Sequence, residues 1–140
     1  MAEEKSFDEV MSELKQEHDV NNLLSFNEIN IQDKLSTNSS LYWHYTELYY
    51  KEKNDLDKIL ELLDKVRGER YKAIKDGEQG EKRQTEIEKY YLPADTKVCK
   101  ITSLARQQRW RVDFYDGLRK AIDKMSWSMQ TFLKGISQGL

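Results

Sequence analysis

The chain has 140 residues, enough for one domain, or for two only if one is very small. Apolar residues and glycine make up about 36% of it, below the roughly 45–50% usual for globular domains, while charged residues reach 34%. No stretch approaches the roughly 20 apolar residues of a membrane span, and the acidic start Met1-Ala2-Glu3-Glu4-Lys5 lacks the apolar core of a signal peptide.

With so little core material, the apolar residues must lie in stripes along helices that finish their burial against other subunits. The net charge of −2 conceals a division. Residues 1–64 hold 6 basic and 15 acidic side chains, a net of −9, and residues 65–140 hold 17 and 10, a net of +7. Such asymmetry directs the basic half toward a polyanion, or toward the acidic half of its own or a neighbouring chain. The lone Cys99 forms no intrachain disulfide and reads as a small buried apolar residue of a reducing compartment.

In chain order, residues 6–17 predict a short amphipathic helix. Ser6 is its N-cap with Glu9 three residues on, and Phe7, Val10, Met11 and Leu14 recur at helical spacing. Residues 19–40, rich in Asn, Ser and Asp, read as a linker with a short helix near 25–35. A long helix then starts near Ser40 and ends at Asp76-Gly77, with Tyr45, Leu48, Tyr49, Leu56, Ile59, Leu62, Leu63, Val66 and Ala73 as its stripe. About 35 residues at 1.5 Å each make a rod of roughly 50 Å.

Gly77, Gly80 and Pro93 punctuate a break over residues 77–95, with a short helix over 81–91. Asp95 or Thr96 caps a second long helix. Its stripe is Val98, Ile101, Ala105, Val112, Tyr115, Ile122, Met129, Leu133 and Ile136, and Leu104, Leu118, Met125 and Phe132 widen it. A seven-residue repeat this wide suits a bundle or an oligomeric coil. Val98, Ile101, Val112, Leu118, Ile122, Met125, Met129, Phe132 and Leu133 are therefore the expected oligomerisation residues, and residues 135–140 should fray. The expected fold is all-α and elongated: an acidic arm with short helices (1–40), a first long helix with its connection (41–95) and a C-terminal oligomerisation helix (96–140).

Catalysis has little footing. There is no phosphate-binding G-x-x-x-x-G-K-[ST] loop, and His18, His44 and Cys99 make no zinc set, so neither metal nor cofactor is expected and the chain reads as a non-enzyme. His18 reads as a solvated surface residue and His44 as a helix-face residue beside aromatics. Nucleic-acid binding has more support. Lys65, Arg67, Arg70, Lys72 and Lys75 cluster late in the first long helix, and Arg67 and Arg70, three apart, share a face that can clamp successive phosphates. Gly68 between them costs about 1 kcal/mol of helix stability relative to Ala and permits a bend or a close backbone approach. Arg106, Arg109 and Arg111 interleave with Trp110, Phe114 and Tyr115, a stacking-plus-phosphate pattern that serves a subunit interface equally well. Tyr42, Trp43 and Tyr50 lie partly off the helix stripe, where they suit core, partner or base.

Several pieces occur here in a familiar order: Glu9-Val10-Met11-Ser12-Glu13-Leu14-Lys15, a helix opening Leu41-Tyr42, the basic run 65–70 leading to Tyr71, and the loop Asp76-Gly77-Glu78-Gln79-Gly80. Leu92-Pro93-Ala94-Asp95-Thr96-Lys97-Val98, Trp110-Arg111-Val112-Asp113-Phe114, Gly117-Leu118 and Ala121-Ile122 follow. In this order and spacing, over about residues 6–135, the chain resembles UvsY, the recombination mediator family of large tailed phages. The resemblance implies a homo-oligomeric ring, hexameric or heptameric, that binds single-stranded DNA and loads a phage RecA-like recombinase onto strands covered by phage single-strand-binding protein, in the cytoplasm of the infected host. The family's Lys-x-Arg DNA contact falls on Gly68 and Arg70, so the lysine is absent and Lys65 or Arg67 stands in one turn earlier. A helical scaffold or adaptor that binds only protein shares the rods and heptads and is the competing reading.

Overall fold

The computed structural model describes residues 4–78 and 83–139. Met1-Ala2-Glu3, Gly80, Glu81 and Leu140, to which the sequence assigned an acidic start, a break, a helix start and a frayed end, lie outside the described residues. Among those described there are helices and no strand, in the order α1 (Phe7–Glu17), α2 (Val20–Leu23), α3 (Ile31–Ala73), α4 (Gln84–Glu86), α5 (Leu92–Ala94) and α6 (Thr96–Ser137). Single π-helical turns follow α3 at Ile74–Glu78 and α4 at Ile87–Tyr91. No helix is long and apolar enough to cross a membrane among the described residues.

The N-terminal helix forms as its sequence directs: the Ser6 hydroxyl accepts from the Glu9 amide at 3.2 Å, and Val10 and Leu14 are buried. The long helix α3 starts at Ile31, nine residues before Ser40, where the sequence put it. The cause is local. The Asn27 side-chain oxygen accepts from the amides of Ile29 and Asn30, while the Asn30 side-chain oxygen accepts from the Asn27 amide at 2.8 Å. This reciprocal capping satisfies amides that a helix start otherwise orphans. Lys34 reaches back to the carbonyls of Asn22 and Ser25, tying the loop after α2 to the new helix. α3 ends as expected before Gly77, whose φ of 135° is open to glycine and strained for any other residue.

The chain divides into two compact units: residues 1–4 with 53–109, and residues 5–52 with 110–140. In the second unit Val10 and Leu14 of α1, Tyr45 of α3, and Tyr115, Leu118 and Ile122 of α6 form one buried cluster, with Ile31, Met125 and Met129 as another. Asn38 of α3 lies among these apolar groups; its Nδ2 donates to the Ile122 carbonyl at 3.0 Å and its Oδ1 has no partner among the described residues. In the first unit Ile74, Ile87, Leu92 and Val98 are buried together, with Leu63, Val66, Tyr71 and Tyr91 packed around them.

These cores change the account of α6. Of the nine residues expected to face neighbouring copies, Val98, Val112, Leu118, Ile122, Met125 and Met129 are buried by their own chain, and Ile101, Phe132 and Leu133 are half-buried. The wide stripe is therefore filled largely by α1, α3 and the connector, because a 42-residue helix passes two separate sets of partners. Leu104 and Ile136, placed in the stripe by periodicity, stay exposed, as does Trp127. Two smaller expectations are also corrected. Cys99 is exposed rather than buried, its Sγ donating to the Pro93 carbonyl at 3.0 Å. His18 is not a solvated surface residue: Nδ1 lies 3.1 Å from the Tyr45 hydroxyl and Nε2 2.8 Å from that of Tyr115, so one imidazole ties α1's end to α3 and α6. Burial, with Glu17 nearby, raises the pKa of Tyr45; at Tyr115 burial also prevails, although Arg111 opposes it. Both phenols stay neutral and able to bond the ring.

Candidate nucleic-acid interface

In α3 and the turn that follows it, Leu63, Val66 and Ile74 turn toward the first unit's core, so the intervening positions face water. Lys65, Arg67, Lys72 and Lys75 are exposed there and make no ion pair with the described residues. Lys58, exposed and not singled out from the sequence, precedes Lys65 and Lys72 at the same seven-residue step, about 10.5 Å along a helix. The spacing carried that signal, but an apolar-stripe search passes over it. Glu61 and Glu69, four residues either side of Lys65, moderate the field of this row. α3 continues through Gly68, and no other backbone approaches it, since among the described residues nothing lies within 4 Å of where its Cβ would be.

Three of the eight expected DNA contacts are already engaged inside the chain. Arg70 is mostly buried, and its Nε donates to Asp95 Oδ2 at 2.8 Å, so it does not join Arg67 in an outward clamp. The other oxygen of Asp95 accepts from the amides of Lys97 and Val98 and caps α6. Burial pushes the Asp95 carboxyl up, but the Arg70 guanidinium and those amides together outweigh it and hold it below the ordinary value. Arg111, in the second unit, donates through Nη2 and Nε to the buried Glu52 at 2.9 and 3.3 Å. That hydrogen bond raises the arginine's pKa against the opposing effect of burial. Arg106 meets Glu4 at 3.3 Å with both side chains more than half exposed, a contact worth little in water. Arg109 is exposed.

The aromatic residues of residues 110–115 serve packing. Trp110 meets Phe7 edge-on with centroids 5.5 Å apart, and Phe114 flanks Tyr115. Asp95 was legible from the sequence as a cap, and its pairing with Arg70, 25 residues away, was not. Glu52 as the partner of Arg111, 59 residues distant, carried no sequence signal. Among the described residues no group of three or more His, Cys, Asp or Glu side chains is arranged to hold a metal ion. No protein-family model, curated protein or solved structure matches this chain.

Proposed function

We propose that the chain is a recombination mediator: a non-enzymatic, multi-subunit protein that binds single-stranded DNA and promotes loading of a RecA-like recombinase onto strands covered by single-strand-binding protein. The observation that carries the reading is the exposed row Lys65, Arg67 and Lys72 on α3 with Lys75 in the turn after it, cations without carboxylate partners among the described residues, in the segment where the UvsY resemblance puts its DNA contact. The mechanism is physical. Lysines and arginine displace counterions from phosphates, and repetition of the row around a homo-oligomeric ring multiplies weak contacts into avidity. The exposed Leu104, Trp127 and Ile136 of α6 offer apolar surface for such assembly.

Filter binding to an oligonucleotide across a salt series tests this. Replacing Lys65, Arg67, Lys72 and Lys75 together by Ala is expected to weaken binding and to reduce the salt slope by about 3, from roughly 0.7 per phosphate lost on a single strand. Unchanged affinity and slope would discard the α3 row. The engagement of Arg70, Arg106 and Arg111 by the chain's own carboxylates favours the second reading, a helical scaffold binding only protein. Undetectable binding of the unmodified chain at about 50 mM salt selects that reading.

A further inference from the structure

We propose that Trp43 and Tyr50, on the outer face of α3 in the second unit, form a base-stacking platform for single-stranded DNA, separate from the lysine row. This rests on the single-strand reading above. Trp43 is 61% exposed and Tyr50 58%, unusual for rings of this size on a well-packed helix. Seven residues apart, they share a face about 10.5 Å along the axis. Each is backed by an inner ring: Tyr42 stands edge-on to Trp43 at 5.7 Å and 70°, and Tyr49 to Tyr50 at 5.1 Å and 74°. The inner rings pack against the buried cluster of Tyr45, Leu118 and Ile122. The outer rings are thus held by the fold yet left more than half exposed.

Two cations, Arg119 and Lys120, lie on the flank of Tyr49. The Arg119 guanidinium sits 4.2 Å from the Tyr49 centroid and 6.0 Å from that of Tyr50. Asp116 fixes it through contacts of 2.9 Å to Nε and 2.8 Å to Nη2. Lys120, 67% exposed, shares the same carboxylate at 2.8 Å, a surface pair that a phosphate can displace. Helical geometry puts Glu47 on the opposite flank from Tyr42 and Tyr49, so a strand stacked on the two rings runs its phosphates past Lys120, with the mostly buried Arg119 adding positive potential behind it. The occupant is a strand rather than a folded protein because the rings are not part of a continuous apolar patch: Glu47, Lys51 and Asn54 beside them are polar and exposed. Isolated flat rings with a cation at hand are what unpaired bases stack upon.

Fluorescence of Trp43, with Trp110→Phe and Trp127→Phe removing the other emitters, reads the contact directly. Titration with oligothymidylate is expected to quench it, and an abasic strand of equal length, with the same phosphates and no rings, to leave it unchanged. Trp43→Ala with Tyr50→Ala should weaken binding of the normal strand about tenfold per ring, with Trp43→Phe recovering most of the loss, and should leave affinity for the abasic strand as it was. Strand binding with unaltered emission, or equal loss toward both strands, overturns the platform while leaving the α3 lysine row standing. A fall in native particle mass in the double variant overturns it in favour of a contact between copies. Absence of any strand binding by the unmodified chain removes the proposed function and the platform together.

Discussion

Ile122→Asp is expected to unfold the second unit rather than to separate folded subunits. Ile122 is fully buried between Val10 and Leu14 of α1, Tyr45 of α3, and its neighbours on α6. Truncating such a residue costs about 2–5 kcal/mol from lost burial and the cavity left. A carboxylate there has no positive partner in the cluster and adds several kcal/mol more, or titrates to its neutral form and still lacks a hydrogen bond. The sum rivals the whole stability of a small domain, roughly 5–15 kcal/mol. Circular dichroism should show a large fall in melting temperature, with near-ultraviolet signals of Tyr45 and Tyr115 lost first. A variant that melts like the parent but sediments as a smaller particle would show that α6 turns this residue toward other copies, against the burial seen here.

Asp95→Ala should cost the next most, about 3 kcal/mol. One carboxylate oxygen caps α6 through two amides and the other accepts from the largely buried Arg70. Loss of a cap is worth about 1 kcal/mol, and loss of a hydrogen bond to a charged group about 1.5–3. Asp95→Asn keeps a capping oxygen and loses the charge, so it should fall between. The same carboxylate makes stability depend on pH. Its folded pKa is depressed, so its contribution is complete above the unfolded value of about 3.9 and is lost as pH falls through the folded one. Acid titration of the parent and of Asp95→Ala should therefore keep a constant separation above about pH 4 and approach one another as pH falls below it. Parallel curves throughout would mean that the Arg70 pair contributes nothing.

The contrast between Asp95 as a cap and Asp95 as an ion-pair partner marks what sequence could disclose. Helix starts written in neighbouring residues were readable: Ser6 with Glu9, and Asp95 before Val98. The start of α3 was misread because Asn27, Asn30 and the Ser/Thr/Asn run after them disfavour helix interiors on average, whereas here two of them cap each other and Ile31 is paid into a core with Met125 and Met129. Periodicity correctly marked α6 as two-sided but was silent about whose side chains fill each side. Charge counts likewise found the basic half without showing that Arg70 and Arg111 are held by acids 25 and 59 positions away. For Lys65, Arg67, Lys72 and Lys75, which are exposed, position on the helix was enough to place them at the surface.

Asn38 fixes an alignment. A leucine in its place would fill the same seam without an unpaired oxygen, which costs about 1–3 kcal/mol when buried. Yet apolar surfaces slide over one another with little penalty, and a stripe as repetitive as that of α6 offers neighbouring positions one turn away. The bond from Asn38 to the Ile122 carbonyl holds the present alignment of α3 against α6, and a slip by less than a full turn strands both ends of the amide. Asn38→Leu should raise the melting temperature while broadening the amide resonances around Ile122. The asparagine gives up stability for uniqueness, and every residue on the outer face of α3, Trp43 and Tyr50 included, inherits its position from that choice.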